Sequence, residues 1–239
     1  MKIMIIRLPK KYIFLFVIIV LIFILIKVFS SYYSVFNYYN EPIYKGDPNS
    51  KKIAFACNVY WGNEYIPDLL NIFKEEDIKI TFFIGGSWAR SFPRLLKIIH
   101  DEGHEIGNHG YSHKNHANLT LEENKAEILK AEKQIEEIIG IKTELFAPPS
   151  GAFNDDTIKA AEELNYKIIL WSIDTIDWKK PGSQYIRDKV LGKTHNGAIV
   201  LMHPVKDTVE ALPSIIAELK EQGYKVTNIH EIIYSSNHL

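Results

Sequence analysis

KIAFACNVYWGNEYIPDLLNIFKEEDIKITFFIGG, residues 52–86, contains one complete structural unit. Residues 52–57 are a compact apolar run, the pattern of a buried strand. Residues 65–77 place Ile66, Leu69, Leu70 and Phe73 at helical spacing. Residues 78–84 are again β-like, and Gly85-Gly86 ends them. Strand, helix and strand in so short a stretch imply two parallel strands joined by a crossover helix.

The rhythm continues toward the C-terminus. Helical patterns at 92–101, 155–164, 184–191 and 207–222 alternate with β-like runs at 104–109, 144–147, 167–172, 197–203 and 224–229. The longest helix starts at the capping box of Thr120 and Glu123 and stops at Gly140. Its many Glu and Lys residues read as a solvated face. About seven strand–helix units fit a small (β/α) barrel better than an open doubly wound sheet, which is the alternative. Neither GxGxxG nor a P-loop pattern is present.

Toward the N-terminus the character changes. Residues 12–26 carry no charge, and Arg7, Lys10 and Lys11 precede them. This predicts a transmembrane helix with its N-terminus in the cytoplasm and the body outside, in competition with a cleaved signal peptide. The expected division is a tip and anchor at 1–30, a polar linker at 31–51 and a folded domain at 52–233, single-pass in the cell membrane. The 239 residues carry a net charge of −1, which offers no electrostatic footprint for nucleic acid. One cysteine, Cys57, excludes an internal disulfide.

In parallel α/β folds, chemistry gathers where strands end. Asn58 and Trp61 follow the first strand, His109 and His113 the third, Pro148 and Pro149 the fourth. Asp174, Asp177 and Trp178 follow the fifth, and His203 the next. Two imidazoles four residues apart can chelate a divalent ion if both face one way, although HxxxH alone is a weak signal; His116 is close enough to be a spare ligand. His203 is either a strand-end cap or a general acid with Asp174 beside it. Trp171 and Trp178 are either core residues or a platform for sugar rings.

HEIGNHGYSH (104–113), KITFFIGG (79–86), WSIDTIDW (171–178) and IVLMHP (199–204), in this order, resemble the polysaccharide deacetylase family, carbohydrate esterase family 4. Residues 57–67 together with FAPPSG (146–151) are similar to a sporulation-type subgroup. The resemblance spans about 52–233. It implies a distorted (β/α) barrel that removes acetyl groups from N-acetylated cell-wall or chitin-like glycan with a divalent metal, zinc or another ion. His109 and His113 map onto the metal ligands, His203 onto the acid, and Asp174 onto its supporting carboxylate. Trp61, Pro148, Pro149, Asp177 and Trp178 are the expected substrate contacts. The family's Thr-Phe-Asp-Asp-Gly lines up with Ala56-Cys57-Asn58-Val59-Tyr60, so Asn58 holds the place of the base and Val59 that of the metal aspartate. Ala147 stands where the family has the arginine that orients the base. Two functions follow as alternatives: an amidase acting on acetylated glycan, or a deacetylase fold that binds glycan without turnover.

Overall fold

The computed structural model describes residues 10–234, so Arg7 and His238 lie outside the described residues. It divides into an N-terminal helical unit that ends at Glu41 and a body that begins at Pro42. The N-terminal unit is one helix, α1 (Lys10–Asn40), whose stretch Lys10–Phe29 is long and apolar enough to cross a membrane.

The body is built on parallel strands: β1 (Lys52–Val59), β2 (Thr81–Ile84), β3 (Glu105–Asn108), β4 (Leu145–Phe146), β5 (Lys167–Ile168), β6 (Ile173–Asp174), β7 (Ile199–Met202) and β8 (Lys225–Thr227). They run in the order β5-β4-β3-β2-β1-β7-β6, with β8 beside the first half of β1. Helices α2 (Ile66–Glu75), α3 (Gly86–Ser91), α4 (Pro93–Asp101), α5 (Leu121–Ile139), α6 (Asp155–Glu163), α7 (Ser183–Leu191), α8 (Lys206–Glu221) and α9 (Ile229–Ile233) make the connections. The alternation of side chains along β1 sorts the core. Phe55, Cys57 and Val59 join the layer between sheet and helices, while Ala54 and Ala56 join a smaller inner cluster with Phe83, Ala147 and Ile169. Small residues inside let the sheet curl tightly.

The run 167–174 explains the curl. The sequence pattern gives one strand over 167–172, whereas the structure divides the run between the two ends of the sheet. Lys167 and Ile168 pair with Leu145 and Phe146 of β4, and Ile173 and Asp174 pair with Val200 and Leu201 of β7. Four residues separate β5 from β6, so the two ends of the sheet meet in one piece of chain. This gives a distorted barrel with seven strand positions around the sheet.

A second departure concerns the segment expected to be a linker. Residues 42–50 are built into the base of the body. The N–H of Ile43 donates to Ile168 O (2.8 Å), and Leu170 N–H donates back to Ile43 O (2.8 Å). Gly46 N–H donates to Gly197 O (2.8 Å), and Asn196 Nδ2 donates to Pro48 O (2.9 Å). This strap fills the seam between β5 and the start of β7, where strand edges would lack partners. Gly197 has φ +71°, and a Cβ there would stand 2.7 Å from Gly46 O. Only glycine allows so close a crossing.

Gly85-Gly86 ends β2 as expected, and a short helix that the pattern does not predict, α3, begins at Gly86. α5 agrees with expectation at both ends: Thr120 and Glu123 cap each other, and Gly140 takes φ +74°.

Candidate active site

The C-terminal ends of the strands surround a cleft of about 300 Å³. Asn58, His109, Ser150, Trp171, Asp174, Leu201 and His203 form its floor and walls, and Trp61, His113 and Trp178 its rim. Most of the polar side chains singled out at strand exits therefore converge in one place.

β1 delivers Asn58 to the floor, where it is 4% exposed. Its Oδ1 has no hydrogen-bond partner, which costs about 1–3 kcal/mol unless a donor arrives. The next side chain, Val59, points the other way by strand alternation and is buried against the helices.

β3 delivers His109. Its Nδ1–H donates to Ala147 O (2.7 Å), which leaves Nε2 free to face the cleft. Burial, with His113 adding its charge, pushes His109 down to about 3, so it is neutral at ordinary pH. His113 is also lowered, chiefly by burial. The two rings lie 5.2 Å apart with their planes at 69°. Two imidazoles sharing one tetrahedral ion, with bonds of about 2.1 Å, would have ring centres about 5 Å apart. The observed separation is close to that spacing. As a ligand set the pair is incomplete: among the described residues no three His, Cys, Asp or Glu side chains are grouped to hold a metal ion. His116, considered as a spare ligand, is buried with Nδ1 on Asn124 Oδ1 (2.6 Å) and its ring against Phe146. The residues grouped here do not make a full metal site: beside the two imidazoles, β1 brings an amide, Asn58, and a valine, Val59, whose side chain faces the helices.

β7 ends at His203. Its partner is Asp177, not the expected Asp174. The Nδ1–H of His203 donates to Asp177 Oδ1 (2.7 Å), and its backbone N–H donates to Asp177 Oδ2 (2.6 Å). Thr208 Oγ1 adds a third bond to Asp177 Oδ2 (2.7 Å). Asp177 is 0% exposed, so it cannot be a substrate contact as expected. It fixes the tautomer of His203 and turns Nε2 outward. Asp174 instead faces the cleft and accepts from Ile176 N–H (2.8 Å), forming the turn that swings Asp177 inward. Nothing in the spacing of two aspartates three apart tells which one turns in.

Aromatic rings frame the histidines. Trp61 lies parallel to His203 (5.2 Å, 13°) and edge-on to His113 (5.9 Å), while Tyr60 covers His113 at 4.7 Å. Gly62, at φ +75°, makes this possible: a Cβ there would fall 1.9 Å from Pro204 O. Trp61 and Trp178 are 41% and 50% exposed; one face of Trp61 is stacked on His203, and Lys179 Nζ lies 4.9 Å over the Trp178 ring. Pro148 and Pro149 are buried, so the lining residue of that loop is Ser150 rather than either proline. Sequence reasoning also missed Ser150 and Leu201, which carry no chemical signal of their own. It missed the buried Glu127 and Asn124 of α5 as well, hidden in a helix whose composition suggests a solvated face.

Comparison with known proteins agrees with this geometry. A family model described as polysaccharide deacetylase matches residues 45–169. The uncharacterized protein YlxY of Bacillus subtilis is 43% identical over 193 residues, which is 81% of this chain and 60% of that protein. The peptidoglycan-N-acetylmuramic acid deacetylase PdaA of Bacillus subtilis is 32% identical over 81% of this chain and 76% of its own length. Among solved structures, a family 4 carbohydrate esterase pseudoenzyme from Bacillus anthracis superposes with a TM-score of 0.79 at 46% identity, over 81% of this chain and 69% of that one. A mutant of that pseudoenzyme, described as having restored enzymatic activity, superposes with the same TM-score at 44% identity, over 81% and 71%.

Proposed function

Because the chain belongs to the polysaccharide deacetylase family, we propose that its cleft holds N-acetylated cell-wall glycan of the peptidoglycan type and, with its present residues, does not hydrolyse it. The observation that carries this reading is the end of β1. Deacetylation adds water across the amide carbonyl, releases acetate and leaves a free amine. The water must lose a proton to a base, and the leaving nitrogen must gain one. Asn58 is an amide and cannot serve as that base, a loss of about 10²–10⁴-fold in rate. Val59 cannot ligate an ion, and its side chain lies in the apolar layer. The alignment of these two positions with the family's paired aspartates rests on resemblance, and the 46% identity to a pseudoenzyme of known structure supports the same reading.

What remains suits binding. Trp61 and Trp178 present aromatic faces to sugar rings, and the unpartnered Asn58 Oδ1 suits an acetamido N–H. A divalent ion such as zinc would polarise an acetyl carbonyl when bound in a family member; here His109 and His113 alone would contact it. We take α1 to be a single-pass anchor, with Lys10 and Lys11 on the cytoplasmic side and the body facing the wall.

One observation favours a second reading. The His203–Asp177 pair is intact and pointed at the cleft, as a general acid requires. Acetate release from N-acetylated chito-oligosaccharides and peptidoglycan fragments separates the two, measured with added zinc or cobalt and with a chelator. The expected result is glycan binding that weakens in Trp61→Ala and Trp178→Ala, and no acetate from the natural chain. Metal-dependent release by the natural chain, lost in His203→Ala, would overturn the proposal in favour of an active deacetylase.

A further inference from the structure

We infer that Glu127 of α5 is the positioning residue for His113. The inference rests on the reading of the cleft above, since it concerns how one of its imidazoles is presented. Glu127 is 6% exposed, unusual for a carboxylate in a helix full of solvated charges. Its Oε2 accepts from two successive backbone amides, Tyr111 N–H (3.1 Å) and Ser112 N–H (2.7 Å), and its Oε1 faces Lys114 Nζ (3.3 Å). These three residues bracket His113 on both sides. The turn they form is irregular, with Gly110 at φ +68° and His113 itself at φ +53°. A side chain with a Cβ holds the left-handed region only where its surroundings impose it.

The rest of the turn is held from the opposite direction. Gly86 N–H donates to Gly110 O (2.9 Å) and Ser87 N–H to Tyr111 O (3.0 Å), both from the start of α3. Asn108 Oδ1 accepts from Gly110 N–H (2.8 Å). α3 therefore holds the carbonyls of the turn and Glu127 holds its amides. A carboxylate suits the second task, because one oxygen can accept two adjacent N–H groups while the other faces the lysine. One turn of helix further on, Lys130 Nζ lies 3.9 Å over the Tyr111 ring and closes the same clamp. The result is a fixed imidazole, set 5.2 Å from His109 and packed on Tyr60 and Trp61. Glu127 is not among the residues that line the cleft and acts on His113 through the backbone amides before it and the Lys114 side chain after it.

The test uses the full chain in detergent micelles, with ¹³C-labelled histidine rings observed by NMR. The His113 ring signal carries the ring-current shift of Tyr60 and Trp61, so it reports ring position without metal or glycan. In Glu127→Ala it should move toward the value of an exposed imidazole, while His104, enclosed by Phe73 and Phe82 elsewhere in the body, stays put. Glu127→Gln, which keeps an acceptor oxygen, should restore most of the natural shift. An unmoved His113 signal in Glu127→Ala would overturn the assignment. If Glu127→Ala does not fold, Glu127→Asp, one methylene too short to reach the turn, decides through amide exchange: Ser112 should exchange several-fold faster while Gly110, held by Asn108, does not, and equal protection of Ser112 would overturn it. Because no glycan or acetate enters the measurement, its failure is distinct from failure of the glycan-holding function.

Discussion

Asp177 accepts three hydrogen bonds without exposing any surface, and each donor depends on it. Asp177→Ala would leave buried donors on His203 and Thr208 unpaired, so its unfolding free energy should fall by about 3–5 kcal/mol in urea titration. Asp177→Asn should behave differently. Its single oxygen can still serve the backbone N–H and Thr208, but its NH₂ then faces Nδ1 of His203 and moves that ring's proton to Nε2. Ring ¹⁵N shifts should show the exchanged tautomer with a smaller loss of stability. Side-chain chemistry made both His203 and an acidic partner legible in the sequence. Which aspartate turns in was not legible, since that is set by the backbone at Ile176, held at φ +57° by the bond to Asp174.

At the scale of elements, periodic segments were legible and crossing points were not. Buried strands and amphipathic helices announce themselves because one face must leave water. The strap at 42–50 has no such period; two prolines and several polar residues give it the composition of a linker. Its order comes from backbone bonds to β5 and from the close approach at Gly197, neither of which leaves a mark in composition. The same holds for 167–174, where continuous apolar character concealed a change of partner. Gly197→Ala tests the strap directly. A Cβ at φ +71° facing Gly46 O and Asp47 O should destabilise the body by about 1–3 kcal/mol, seen as a lower melting temperature. An unchanged melting temperature would mean that the strap does not hold the seam.

The whole molecule also carries a pH dependence. His104 accepts from Ile80 N–H and sits in an aromatic sheath, and burial with Lys79 nearby lowers it from 6.5 to about 4. Below pH 6.5 the unfolded chain takes up a proton that the folded chain refuses until about pH 4. Stability should therefore be lost as pH falls through that window, by on the order of 3 kcal/mol from this residue. Glu127 and Glu231, held low by their hydrogen bonds and lysines, add to the fall, whereas Glu105, pushed up by burial, works against it. Urea midpoints at pH 7 and 4.5 should differ accordingly, and His104→Gln should remove only its own share, because His109, His113 and His116, also lowered chiefly by burial, act in the same direction.

The strap also sets what a protease can remove. The N-terminal helix ends at Asn40, and Ile43 is already bonded to Ile168 through its N–H and to Leu170 through its carbonyl. A cut on the N-terminal side of Pro42 releases a body that keeps the strap's bonds at Ile43, Gly46 and Pro48. A cut after Gly46 takes the cover with it, leaves Leu170 N–H without its acceptor, and loosens the chain one residue before Trp171 enters the cleft. Two cleavage sites only a few residues apart would thus yield shed domains of nearly equal mass, one with its cleft wall supported and one without.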